Sequence, residues 1–298
     1  MPPFASLLPH FALTADAAQR QRLVELSHTY AAVPAEAAAR KRIASEIAHL
    51  MNADAVVGPL AQQIRGLYRQ LGLCLLPALP DLNLNVLLAI PATAFDLLEI
   101  QRLPLDTRVT PESMVRSPLY RQQELNLHTD FPFDPPHSTT IFCVQQDPHY
   151  PDCGVSLLLD ADVLVDHLRR LNDPELLQVA FTMPFSHLNF KQQSELSPAE
   201  PILTAAPEHG GHHVRYNRTY MRTRNGARCE TALDRFEAEI RQLAQRYALA
   251  TGDMLILNNR RLLHGRTDCT IEHLPDGSFR SRSIFTVWGN HKEDVCSS

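Results

Sequence analysis

No two of the six cysteines stand in a CxxC pair, and Cys74, Cys143, Cys153, Cys229, Cys269 and Cys296 follow no regular spacing. A disulfide framework and a structural zinc site both need such spacing, so the chain reads as one kept in a reducing cytosol, a cytoplasmic protein. An excess of positive charge is missing as well. The 28 Lys and Arg are scattered and stand against 33 Asp and Glu, a formal net charge of -5. That excludes the basic field on which nucleic-acid binding rests. No apolar run approaches the length of a membrane span. The opening MPPFASLLPHFAL lacks a basic start and is broken by prolines, which argues against a signal peptide. Internal repeats, low-complexity linkers and a βαβ rhythm are all lacking. What is present is 298 residues, 44% of them hydrophobic, enough for one domain with a substantial core and a small molecule as its partner.

Residues 1–104 read as a mainly helical layer. TADAAQRQRLVELSHTYAAV has Thr14 as a capping residue and apolar residues at helical spacing. PAEAAARKRIASEIAHLMNA and VGPLAQQIRGLYRQLG repeat the period, and LCLLPALP predicts a short buried strand ended by prolines. Over residues 105–298 the texture changes. TTIFCVQQ, GVSLLLDA, TMPFSHLNF, HHVRYN, DMLILNN and RSIFTVW predict short strands between turns. ADVLVDHLRRLNDPELLQVA and ALDRFEAEIRQLAQRYALA interrupt them as helical insertions. This pattern predicts an α+β chain, a single domain over 1–298, with an antiparallel barrel or sandwich under a helical N-terminal layer.

The stretch NLHTDFPF places His128 and Asp130 two residues apart in an apolar run. In a strand, residues i and i+2 share a face. The two side chains therefore form either a buried His–Asp hydrogen bond or two of the three ligands of a divalent metal such as iron. Phe131 and Phe133 alternate with them and read as core. A second His-x-acid pair, His291 and Glu293, lies in a polar stretch near the end of the chain and reads as solvated surface.

Downstream, GDMLILNNRRLLHGRTD carries a buried strand and then His264, followed by Gly265. DGSFRSRSIFTVW then places Arg280 and Arg282 at alternate positions, on one face of a predicted strand. Together with His128 and Asp130, this pattern over roughly residues 118–290 resembles the iron(II)/2-oxoglutarate-dependent dioxygenases of the taurine dioxygenase and clavaminate synthase-like group. The resemblance implies a double-stranded β-helix, or jelly roll. It also implies Fe(II) held by His128, Asp130 and His264, with 2-oxoglutarate and O2 as co-substrates. Arg280 stands at the family's spacing for the arginine that binds the distal carboxylate of 2-oxoglutarate, with Arg282 as its competitor. Ser156, in PDCGVSLLLDA, stands where a hydroxyl helps hold that carboxylate. A planar guanidinium suits the task because it matches a carboxylate and stays charged when buried. Asp130 points to oxygen chemistry, since related halogenases carry a small residue there.

The activity implied is oxidation, foremost hydroxylation, of an unactivated C–H bond in a small polar substrate, an amino acid or derivative in natural-product biosynthesis. A catabolic dioxygenase of a sulfonate or similar anion, a metal-binding cupin-like protein without turnover and a zinc hydrolase remain open beside it. Arg215, Arg218 and Asn126 are candidate substrate contacts. HGGHHVRYNRTYMRTR (209–224) otherwise reads as a solvated basic loop rather than a second metal site.

Overall fold

The structure, a computed structural model, describes residues 11–98, 106–111, 121–189, 195–206, 210–222 and 227–291. Helices α1 (Ala17–Thr29), α2 (Ala37–Ala53) and α3 (Gly58–Leu71) lead into strand β1 (Leu73–Leu76), helix α4 (Leu84–Ala92) and strands β2 (Phe95–Leu97), β3 (Asp106–Arg108), β4 (Leu125–His128), β5 (Ser138–Gln145) and β6 (Ser156–Asp160). Helices α5 (Ala161–Leu171) and α6 (Pro174–Phe181) follow, then short strands β7 (Ser186–His187), β8 (Leu203–Ala206), β9 (Gly211–Val214) and β10 (Met221–Arg222). Helix α7 (Ala227–Leu243) precedes β11 (Gln245–Tyr247), β12 (Met254–Asn258), β13 (Leu262–Arg266), β14 (Ile271–His273), β15 (Phe279–Ser281) and β16 (Ser283–His291).

Two antiparallel sheets carry the architecture. The larger runs β1-β12-β5-β16-β2, with β3 also paired to β16, and the smaller runs β11-β6-β13-β4. Strand alternation sorts their side chains into layers. Leu73, Leu75, Ile141, Cys143, Leu255 and Leu257 of the larger sheet meet Leu158 and Leu262 of the smaller one in a shared core. Cys74, Leu76, Met254, Ile256, Phe285 and Val287 point the other way, into the cluster formed with α1 to α4. Leu127, Leu157, Leu159 and Leu263 leave the outer face of the smaller sheet and pack among α5, α6 and α7. Each sheet is thus covered by helices on its outer side and by the other sheet on its inner side.

Several local expectations change. Asp16, not Thr14, caps α1: its carboxylate accepts from the Gln19 N–H at 2.8 Å, while the Gln19 side chain accepts from the Asp16 N–H at 3.0 Å. A glutamine three residues after an aspartate completes this reciprocal cap, which Thr14 cannot. Helix α4 carries no amphipathic stripe because Asn85 through Ala92 are all buried, so no period marks it in the sequence. The stretch after residue 160 divides at Asn172, which has φ 51°, and Asp173 caps the next helix with Pro174 in its first turn. His291 is the last residue of β16 and not outside a strand. Its ring lies 4.4 Å from that of His137, while Glu293 falls outside the described residues.

Candidate metal centre

His128 ends β4 and His264 sits in the middle of β13, directly opposite it in the antiparallel register. Their ring centroids are 4.6 Å apart. Such an approach needs the two backbones close, and Gly265 permits it. A Cβ at that position would lie 2.6 Å from the Leu125 carbonyl oxygen, so the backbone of β4 would have to shift. The glycine after the histidine is therefore a packing requirement of the β4–β13 pair.

Asp130 does not share a strand with His128, because β4 stops at His128. The carboxylate comes in on the turn that follows, and that turn is held from outside. Residues 130–136 contain Pro132, Pro135 and Pro136, which bring carbonyls without N–H groups of their own. Side chains satisfy these carbonyls. Asn259 accepts from the Asp130 N–H at 2.8 Å, and its amide donates to the Asp130 carbonyl at 3.0 Å and the Pro136 carbonyl at 3.2 Å. Arg260 Nε donates to Pro135 at 2.9 Å, and Arg215 donates to the carbonyls of Pro132 and Phe133. Phe131 is not core as expected. It takes φ 47° and sets its ring edge-to-face on Trp288, with centroids 4.7 Å apart. Phe133 is likewise only half-buried.

The ligand-type atoms of His128, Asp130 and His264 lie within 4.8 Å of one another. His128 Nδ1 is 2.8 Å from the Asn126 carbonyl, which can only accept, so Nδ1 carries hydrogen and Nε2 is turned to the centre. There Nε2 stands 3.3 Å from Asp130 Oδ1, and His264 Nε2 stands 3.2 Å from Oδ2. His264 Nδ1 is buried and has no partner among the described residues. Burial alone would lower the His128 pKa, but the hydrogen bond and charge of Asp130 win, and it lies above the usual value. Burial would likewise raise Asp130, yet the charges and hydrogen bonds of His264 and His128 hold it well below the ordinary carboxylate range. The three side chains could hold a metal ion, and two imidazoles with one carboxylate are the donor set of a facial triad.

Two further residues touch the carboxylate. Thr139 Oγ1 donates to Oδ2 at 2.9 Å and Trp288 Nε1 at 2.8 Å. Neither these nor Asn259 were singled out from the sequence. Trp288 is the one tryptophan of the chain and Asn259 lies inside the NNRR stretch, the only signals available for them.

The two arginines separate. Arg280 lies on the β14–β15 hairpin directly opposite Glu272 and pairs with it at 2.6 Å, its side chain 53% exposed. Arg282 lies between β15 and β16, where the chain leaves the hairpin and enters the larger sheet, and only 4% of it is exposed. The expected shared face fails because β15 ends at Ser281 and Arg282 lies outside it, and the buried cation is Arg282 rather than Arg280. Its guanidinium lies 3.5 Å from Ser156 Oγ, and among the described residues no carboxylate is within ion-pair distance. Burial pulls its pKa below the usual value, and the charge of Arg266 adds to that. Ser156 and Leu158 share the inner face of β6, and Leu158 is paired with His264. The Arg282–Ser156 corner is therefore two strand residues from the triad, about 7 Å along β6.

The expected substrate contacts are engaged elsewhere. Arg215 spends its donors on the 132–133 carbonyls and on Glu200 at 2.8 Å. Arg218 pairs with Glu230 and Asp234 on α7. Asn126 is exposed and its side chain accepts from Arg241. His212, in the histidine-rich stretch, forms part of β9 and bonds Asp162 at 2.8 Å.

Solved structures share this arrangement of elements. An asparagine oxygenase (AsnO) matches with a TM-score of 0.74 at 18% identity, over 94% of this chain and 93% of that one. The non-heme iron oxygenase OrfP, in complex with Fe and alpha-ketoglutaric acid, matches with a TM-score of 0.67 at 15% identity, over 94% of each chain. The PvcB protein from Pseudomonas aeruginosa matches with a TM-score of 0.56 at 18% identity, over 78% of this chain and 80% of that one. No curated protein sequence matches significantly. A family model described as taurine catabolism dioxygenase TauD, TfdA family, matches residues 41–283, most of the chain, and with it every residue of the triad. The chain belongs to the TauD/TfdA dioxygenase family.

Proposed function

We propose that the chain is an iron(II)- and 2-oxoglutarate-dependent oxygenase that hydroxylates an amino acid or amino-acid derivative in natural-product biosynthesis. In this reading it acts as a single catalytic domain in the cytoplasm, and its two sheets are the facing halves of a jelly roll. Support for the substrate class comes from structural neighbours that cover nearly the whole chain, an asparagine oxygenase described with Fe(II), 3-hydroxyasparagine and succinate, and OrfP described with hydroxylated arginines.

The residues present fit the groups this activity needs. His128 Nε2, Asp130 and His264 Nε2 would hold Fe(II), and the Asn126 carbonyl fixes the tautomer of His128. Arg282 and Ser156 would hold the far carboxylate of 2-oxoglutarate. When bound, iron and 2-oxoglutarate supply the oxidising chemistry that splits O2 and attacks an unactivated C–H bond. The chain's own part is placement: Asn259, Arg260 and Arg215 fix the turn bearing Asp130, and the apolar inter-sheet core keeps bulk water from the inner side of the triad.

One observation carries the co-substrate assignment. A buried guanidinium with a hydroxyl beside it, the charge of Asp147 acting on it only from beyond ion-pair distance, and no ion-paired carboxylate among the described residues, is costly unless an anion completes it. A five-carbon dicarboxylate is long enough to span the two strand residues, about 7 Å along β6, that separate this corner from the register of His264. A zinc hydrolase or a silent cupin-like protein has no use for that cation. The test is to supply the purified protein with Fe(II), 2-oxoglutarate and O2 against a panel of free amino acids that also includes taurine. One substrate gaining an oxygen atom in step with succinate release supports the reading. Sulfite release from taurine alone would move the chain to the catabolic branch, and succinate release with neither outcome would overturn the substrate class.

A further inference from the structure

Trp288 on β16 lies directly opposite Thr139 on β5. Residues opposed across an antiparallel pair project from the same face. Thr139 shares its face with Ile141 and Cys143, which line the inter-sheet core, so both side chains leave the larger sheet toward the triad. They end on one atom. Thr139 Oγ1 and Trp288 Nε1 both donate to Asp130 Oδ2, at 2.9 and 2.8 Å. A carboxylate oxygen has two lone pairs in its plane, and two donors fill them. His264 Nε2 also faces Oδ2 at 3.2 Å, a contact that a metal on Nε2 would replace. Among the described residues Oδ1 receives no such donors, and its polar neighbour is His128 Nε2 at 3.3 Å. Phe131, the residue after Asp130, braces the indole edge-to-face at 4.7 Å from an uncommon left-handed backbone position.

We infer that Trp288 is the positioning residue of this centre: with Thr139 it occupies Oδ2, so that Asp130 offers a metal one oxygen, Oδ1, and not two. The inference rests on reading the triad as a metal centre. Its consequence is a coordination count. A facial triad works by leaving three positions open, and a carboxylate that swung to bind through both oxygens would close one of them. The indole N–H therefore guards the place where a co-substrate enters, and Phe131 keeps the indole in line.

The chain's single tryptophan makes this measurable without turnover. Wild-type protein, Trp288→Phe and Thr139→Val are titrated with Co(II), read by tryptophan emission in wild type and Thr139→Val, by visible absorption in all three, and by equilibrium dialysis for bound metal. Wild-type emission is expected to change as metal binds. Trp288→Phe is expected to lose roughly 10- to 100-fold in Co(II) affinity, the usual effect of removing a partner behind a ligand. Its Co(II) absorption should also change as a second carboxylate oxygen joins, and Thr139→Val should shift in the same direction by less. Wild-type emission that stays constant while dialysis shows bound metal overturns the inference. So does Trp288→Phe with wild-type affinity and spectrum, or, should that variant fail to fold, Thr139→Val with both unchanged. Dialysis that finds no metal retained by wild type overturns the metal-centre reading instead.

Discussion

Asn259 grips Asp130 by both ends of one residue's backbone, accepting from its N–H at 2.8 Å and donating to its carbonyl at 3.0 Å. The side chain is fully buried, and its amide also reaches the Pro136 carbonyl. Asn259→Asp keeps the shape but removes both donated bonds and adds a negative charge beside the triad. The expected cost is about 1–3 kcal/mol of stability for carbonyls left without a donor, together with weaker metal binding as the turn loosens. Urea unfolding and competition with a metal-binding dye would measure the two effects. Wild-type values in both would mean that the turn holds Asp130 without Asn259.

Arg282 and Arg280 divide cleanly. Arg282→Gln should raise the 2-oxoglutarate concentration needed for binding by at least roughly 30-fold, the scale for breaking one side of a buried charge pair, while metal binding persists. Arg280→Gln removes only an exposed pair with Glu272 and should leave both within about twofold, as exposed ion pairs contribute little. Calorimetry with metal present would separate them. The reverse pattern would restore Arg280 as the co-substrate arginine.

Gly265→Ala should disturb the centre without touching a ligand. The added methyl meets the Leu125 carbonyl at 2.6 Å and must push β4 from β13, carrying His128 away from His264. Overpacking of this kind costs about 1–3 kcal/mol. Thermal melting and metal titration would report it, and an unchanged metal affinity would show that β4 can move without His128.

His187, which is not a metal ligand, predicts an acid sensitivity. It is 1% exposed, neither ring nitrogen has a partner among the described residues, and burial, aided by the charge of Arg215, lowers its pKa to about 3. The folded state thus carries His187 neutral while the unfolded chain takes up a proton near the ordinary value, so acid favours unfolding. The stability is complete above about pH 6.5 and is lost as pH falls toward the folded value, with about 2 kcal/mol gone at pH 5. His187→Leu should flatten that part of the acid limb in urea melts at a series of pH values. A variant with the wild-type slope would place the acid sensitivity elsewhere.

The candidate site was legible where chemistry restricts residue type. His128, Asp130 and His264 were readable because few side chains bind a divalent metal, and their spacing carried a family pattern. What surrounds them was not, because it depends on chain direction rather than composition. Sequence spacing put Arg280 and Arg282 on one strand face, but the chain ends a hairpin at Ser281 and begins β16 at Ser283, so the two point to different places. The same holds for Asp130, expected in strand with His128 and found in a turn whose proline carbonyls need Asn259, Arg260 and Arg215. Trp288 is about 160 residues from Asp130 in sequence, and only the β5–β16 register brings it there.

In the fold, strands with alternating or continuous apolar runs were readable, as were the amphipathic helices. Helix α4 was missed because burial on all sides erases the period, and the short strand β10 because two residues carry none.

In the proposed reading the triad and Arg282 together present iron and 2-oxoglutarate to a substrate. The most direct measurement is anaerobic titration of the protein with Fe(II) and then 2-oxoglutarate, followed by visible absorption, with Arg282→Gln beside wild type. A weak metal-to-ligand charge-transfer band is expected in wild type, saturating with 2-oxoglutarate and needing far more of it in Arg282→Gln. Iron shown to be bound, with no band at any 2-oxoglutarate concentration, would contradict this reading.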